Sequence, residues 1–158
     1  MNKQNWKTYA FWILLSEGVG ALSGWLTREG TRLYSEVILQ PPLSPPGIVF
    51  PIVWAILYAL MGIGVARIYL SPASAARSRG LLLFLVQLAF NFLWPILFFN
   101  LQAFGLAFLW LVILWLLIAW MTLTFRKVDK TAARLQIPYL LWVAFAGYLN
   151  LGVWLLNR

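Results

Sequence analysis

From Gly80 through Phe125 the chain carries no charged residue. A membrane crossing needs only about 20 apolar residues at roughly 1.5 Å of rise each, so this run is too long for one helix and supplies two. Asn100 and Gln102 mark the polar point where a tight hairpin divides it, giving stretches of approximately Gly80 to Asn100 and Ala103 to Phe125. Three further apolar stretches of similar length flank the pair, approximately Trp6 to Leu26, Pro46 to Tyr69 and Ala132 to Leu156. The expected fold is therefore all-α and polytopic, a single domain over residues 1–158 built as a bundle of five transmembrane helices with the lipid bilayer as solvent. Composition agrees, because 10% charged residues lies far below the roughly 25% of a soluble chain. An apolar run follows Lys3 and Lys7 as in a signal peptide, but Glu17 interrupts it and no clean cleavage site follows, so it reads as a mature helix.

The net charge of +8 is distributed among the connections rather than gathered into one stripe, so it predicts no nucleic-acid partner. It reads instead as a topology signal. Lys3, Lys7, Arg67, Arg77, Arg79, Arg126, Lys127, Lys130 and Arg134 fall on the side of the N-terminus and of connections two and four. Only Arg28, Arg32 and Arg158 fall on the other. The positive-inside rule then places the N-terminus in the cytoplasm and the C-terminus outside, and the expected location is a bacterial inner membrane. With no cysteine and no histidine, disulfides, thiolate chemistry, zinc sites and histidine-ligated haem are excluded, and no metal or cofactor is expected.

Polar groups inside the spans should face the bundle interior, since hydrocarbon offers them no partner. Glu17 is the acidic residue within a span, beside Ser16, Gly18, Gly20 and Gly24. It reads first as a buried, neutral, hydrogen-bonded carboxyl, and second as the proton carrier of an exporter. Gly20 and Gly24 form a small-residue face suited to helix packing or dimerisation. Pro95 and Pro138 each remove a backbone hydrogen bond and are expected to bend their helices.

Helical spacing places Asn91, Trp94, Pro95 and Phe98 on one face of the third span. It does the same for Trp54 with Tyr58 on the second, and for Trp142 with Phe145, Ala146 and Asn150 on the fifth. Three aromatic faces with polar tips predict a pocket for a large, flat, mostly apolar ligand held by stacking and a few hydrogen bonds. The remaining tryptophans Trp6, Trp12, Trp25, Trp110, Trp115 and Trp120 read as interfacial or lipid-facing anchors. Hydrolase, kinase and metalloenzyme chemistry are poorly supported, for want of a histidine base, a cysteine nucleophile, paired carboxylates in a span or a phosphate loop. An oxidative or photochemical reaction on a light-absorbing guest needs none of these.

Three ordered segments carry a family resemblance: PPLSPPGIVFPIVWAILYALMG (Pro41 to Gly62), QLAFNFLWPILFF (Gln87 to Phe99) and PYLLWVAFAGYLN (Pro138 to Asn150). In these the chain resembles the translocator protein or tryptophan-rich sensory protein family, also called the peripheral benzodiazepine receptor family. The resemblance implies a five-helix bundle, a homodimer, and a first connection (residues 27–45, including Pro45) folded as a lid over a pocket for porphyrins. It implies that Trp54, Trp142 and Asn91 line that pocket. It further implies sensory, transport or tetrapyrrole-handling roles, with light-dependent degradation of bound protoporphyrin as an alternative in which Trp54 and Trp142 are oxidisable rings. Leu33 and Leu43 stand where the family often has tryptophan, so the lid is expected to grip differently. The sterol pattern of animal members is incomplete, because no basic residue closely follows Tyr148.

Overall fold

The computed structural model describes residues 5–158, so Lys3 of the charge pattern lies outside it. The described residues form helices and connections without a strand. In chain order the helices are α1 (Asn5–Leu26), α2 (Arg28–Val37), α3 (Val49–Tyr69), α4 (Ala75–Pro95), a π-helical turn (Ile96–Asn100), α5 (Phe104–Arg126), α6 (Lys130–Arg134) and α7 (Ile137–Leu156). Four segments are long and apolar enough to cross a membrane: α3, α4 with its π turn, α5, and α6 with α7. Helix α1 has the length, at 22 residues, but Lys7, Glu17 and its serines and glycines dilute its apolar character.

Several boundaries depart from the sequence expectation. Helix α4 begins before Gly80, because the Ser74 hydroxyl caps it by accepting from the Arg77 N–H at 3.0 Å. The stretch from Ala132 is broken: Asp129 caps the short α6 through the Ala132 N–H at 2.9 Å, and a turn at Leu135 and Gln136 precedes α7. Pro138 thus sits in the first turn of α7, where its missing N–H costs nothing, and bends no span. Pro95 does disturb its helix. The chain beyond it widens into the π turn, whose Ile96 carbonyl accepts from the Leu101 N–H five residues on at 3.0 Å. Gln102, with φ of 51°, then reverses the chain into α5, where the hairpin was expected.

Helices α1 and α3 run antiparallel in close contact, and glycines allow it. A methyl group at Gly20 would collide with the Tyr58 ring, and one at Gly62 would lie 2.5 Å from the Ile13 Cα. Gly20 therefore serves packing within the chain, while Gly24 faces open space. Helix α4 joins α1 through Trp12 against Phe84 and through the Ser23 hydroxyl, which donates to the Phe92 carbonyl at 3.1 Å. Helix α5 returns along α4, with Trp110 stacked on Phe90 at 4.2 Å and donating to the Phe90 carbonyl. Helix α7 packs on α5, where the Trp115 indole donates to the Leu140 carbonyl. Trp12 is buried and Trp110 half-buried, so neither is the lipid-facing anchor expected; both fill space between helices. Trp6, Trp25 and Trp120 do project outward.

The connections gather at two ends. At one, Arg67 pairs with Asp129 at 3.0 Å and ties connection two's approach to connection four. At the other, the first connection contains an amphipathic helix, α2, rather than a plain loop. Gly30 of α2 lies directly against the Phe99 carbonyl of the π turn. The segment that follows is clasped to α7: Leu39 exchanges two hydrogen bonds with the Asn157 side chain, at 3.0 and 2.8 Å. The Tyr148 hydroxyl donates to the Pro42 carbonyl at 2.6 Å, and Pro41 lies over Gly152.

Candidate functional site

Asn91 stands at the centre of the bundle and is fully engaged there. Its carbonyl accepts from the Tyr58 hydroxyl at 2.5 Å, and its amide donates to the Tyr139 hydroxyl at 2.7 Å. Tyr139 in turn donates to the Gln87 carbonyl at 2.6 Å. This chain of bonds ties α3, α4 and α7 together in surroundings where each unpaired group is costly. Gln87 and Tyr139 escaped the sequence reading, although spacing carried the signal: Gln87 is one turn before Asn91, and Tyr139 one turn before Trp142.

A second cluster occupies the end nearer the π turn. The Trp94 indole donates to the Asn150 carbonyl at 3.0 Å, and the Asn150 amide donates to the Phe104 carbonyl at 2.8 Å. Trp94 stacks on Phe98 at 5.0 Å, and Tyr34 of α2 covers Phe98 at 5.4 Å. Burial pushes the Tyr34 hydroxyl up to about 12, so it stays neutral and is held as part of an apolar cap. The polar tips of Asn91 and Asn150 are thus both spent inside the protein.

The third arrangement is a seam. Helix α3 packs on α1 and α7 packs on α5, whereas α3 and α7 are not close backbone neighbours. Aromatic rings bridge the space between them. Phe50 meets Trp142 at 5.9 Å, Trp54 meets Tyr139 at 6.2 Å, and Trp54 meets Tyr58 at 5.6 Å. Along α7 the series continues from Trp142 to Phe145 at 5.5 Å and from Phe145 to Tyr148 at 6.1 Å, with Ala146 buried beside it. Trp54 and Trp142 are each half-buried, so the seam reaches the outer surface of the bundle.

Among the described residues, one polar atom in the seam lacks a hydrogen-bond partner, as Gln87 Nε2 and Gln136 Oε1 do elsewhere in the bundle. The Trp142 indole nitrogen is buried and donates to nothing among the described residues. A buried donor left unpaired costs about 1–3 kcal/mol, so this N–H is a ready point of attachment for an acceptor on a guest. The seam offers stacking faces and one donor, which suits non-covalent retention of a flat ring system. Two open grooves, of about 520 and 280 Å³, lie elsewhere, and the rings themselves occupy the seam.

The remaining expected residues are placed less centrally. Pro45 is half-buried in the segment ahead of α3, outside the series of rings that makes the seam. Glu17 is half-buried, and the hydrogen bond expected for it is not formed among the described residues. Phe50 was not anticipated at all; it lies one turn before Trp54, which a search for four-residue spacing finds.

Comparison with known proteins locates this architecture. A model of the TspO/MBR family matches residues 12–155. The chain is 35% identical to the tryptophan-rich protein TspO of Chlorobaculum tepidum, over 99% of each chain. It is 36% identical to the translocator protein of Bos taurus, over 94% of this chain and 88% of that one. It is also 39% identical to Protein CrtK of Rhodobacter capsulatus, over 75% and 74% respectively. Likeness of this extent to bacterial and mammalian proteins, in a chain whose long helices are this apolar, makes it an integral membrane protein that belongs to the TspO/MBR family.

Proposed function

We propose that the chain is a membrane binding protein for porphyrins and similar flat, apolar ligands, serving to sense, carry or process tetrapyrroles. The observation that carries this reading is the α3–α7 seam, in which paired rings surround a buried indole N–H without a partner. Aromatic faces favour a planar guest, and an acceptor on that guest completes Trp142. In this reading α1 is the fifth span, and residues 27–45 form the lid, a role supported by the clasp of Leu39 and Pro42 onto α7. The cation-rich end, to which the start of α1 belongs, faces the cytoplasm of a bacterial cell. A homodimer would use a face other than Gly20, which Tyr58 already occupies.

Titrating the purified protein with protoporphyrin and following tryptophan fluorescence tests the site. Trp142→Phe keeps a smaller aromatic face and removes the donor, and is expected to weaken binding by at least roughly 2- to 12-fold, the worth of one net hydrogen bond of about 0.5–1.5 kcal/mol. Replacing both Trp54 and Trp142 by Ala is expected to weaken it further. Unchanged affinity in that double variant would remove the seam from consideration.

A second reading, oxidative degradation of the bound porphyrin in light, is favoured by the position of Trp54 and Trp142, two oxidisable indoles on opposite walls of the seam. Illumination of the complex separates the readings. Loss of porphyrin absorbance that exceeds bleaching of free pigment, and that disappears when both tryptophans are replaced by Phe, supports the enzyme.

A further inference from the structure

The larger groove lies far from the seam, at the cation-rich end. It encloses about 520 Å³ and is lined by Trp120, Leu123, Thr124, Arg126, Lys127 and Lys130. Its walls differ in kind. Trp120 and Leu123 present apolar surface, at 54% and 62% exposure, while the rim carries three cationic side chains.

Among the described residues those cations have no ion-pair partner. The chain has four acidic residues. Glu29 and Glu36 are bound to Arg32 in α2, at the opposite end. Asp129, the acid closest in sequence to the groove, is turned away to Arg67 at 3.0 Å and to the Ala132 N–H at 2.9 Å. Glu17 lies within α1. Arg126, Lys127 and Lys130 form no ion pair among the described residues. Three like charges within five positions repel one another, and an external anion relieves that repulsion.

We propose that this groove is a binding site for an anionic phospholipid, with the headgroup phosphate among Arg126, Lys127 and Lys130 and the first part of an acyl chain along Trp120 and Leu123. Charge complementarity selects the anion, and the adjoining apolar wall selects an amphiphile over a free ion. Trp120 lies within two turns of Arg126 at the end of α5, and indoles are enriched where membrane helices meet headgroups. The only side-chain hydroxyl on the lining, that of Thr124, is spent on the Trp120 carbonyl at 2.9 Å, so recognition rests on charge and apolar contact. The ligand is distinct from the guest of the seam, and the two proposals stand or fall separately.

Vesicles of phosphatidylcholine carrying bromine on the acyl chains of either phosphatidylglycerol or phosphatidylcholine test this. The difference in quenching between the full wild-type chain and Trp120→Phe isolates the signal of Trp120. Brominated phosphatidylglycerol is expected to quench Trp120 more than brominated phosphatidylcholine, with a preference near fivefold per cation engaged. Lys127→Gln and Lys130→Gln should each reduce that preference, and the triple variant with Arg126→Gln should abolish it. Arg79→Gln, which removes an exposed cation outside the groove, should leave it intact. Equal quenching by both lipids in the wild type overturns the site. So does an equal loss in Arg79→Gln, which marks diffuse surface attraction, and so does displacement of phosphatidylglycerol by inorganic phosphate, which marks a free-ion site. If the triple variant fails to insert, the two single variants decide the matter.

Discussion

Gly20 and Gly24 look alike in the sequence and differ in the structure. The first lets the Tyr58 ring lie against the α1 backbone and so sets the reach of the Tyr58 hydroxyl to Asn91. Gly20→Ala is expected to displace that ring, break the hydrogen bond and destabilise the protein by about 1–3 kcal/mol, the usual range for overpacking. Gly24→Ala meets nothing and should be neutral or stabilising by up to ~1 kcal/mol through helix propensity. Paired melting curves in detergent check both, and equal shifts would contradict this packing. Leu43 supplies a second case, because its φ of 69° holds a branched residue in the left-handed region. Leu43→Gly should raise stability by roughly 0.5–1 kcal/mol, the left-handed cost of about 1–2 kcal/mol being partly offset by the entropy glycine loses on folding. Sequence spacing found the members of each aromatic face but not their partners. Asn91 and Asn150 appeared as free polar tips because a single helix cannot show what the neighbouring helix donates.

The apolar cores of α3, α4, α5 and α7 were legible at the scale of the element because hydrocarbon length is a strict constraint, whereas their ends depend on local caps. Ser74 and Asp129 moved two boundaries, and both lie in polar connections where hydropathy says little. Helix α2 was hidden for a related reason. Its Glu29, Arg32 and Glu36 follow helical spacing, but the four prolines at the end of the same connection mask that pattern. Asp129 is also where pH enters. Burial pushes its carboxyl up, but the Ala132 N–H and the Arg67 guanidinium outweigh burial and hold it below its ordinary value of 3.8. A carboxyl lowered on folding contributes stability in full above its unfolded value and loses it as pH falls through the folded one. The contribution should therefore be constant at neutral pH and decline below about pH 4, where the unfolded group begins to bind protons. Asp129→Asn should remove this acid-dependent component while keeping the cap, since asparagine caps a helix about as well as aspartate. An unaltered acid slope in that variant would show that Asp129 contributes none of it.

At the scale of the whole molecule, the segregation of connections to two ends and the α1–α3 and α4–α5–α7 groups follow from antiparallel packing of consecutive long helices. The gap between α3 and α7 was not readable in that way. It arises because each of these helices finds its close partner elsewhere, a property of the assembled bundle rather than of any segment. For the guest proposed there, the absence of histidine and cysteine has a direct consequence, since haem iron is usually held by one of them. Metal-free protoporphyrin should bind at least as tightly as haem; a marked preference for haem in parallel quenching titrations would argue against retention by stacking alone.

On the proposed function, the partial exposure of Trp54 and Trp142 on the flank of the bundle lets a hydrophobic guest dissolved among acyl chains approach the seam sideways, without passing through water. Occupancy then tracks the amount of guest per unit of bilayer. Adding empty liposomes at constant total guest should drain the protein even though its intrinsic affinity has not changed.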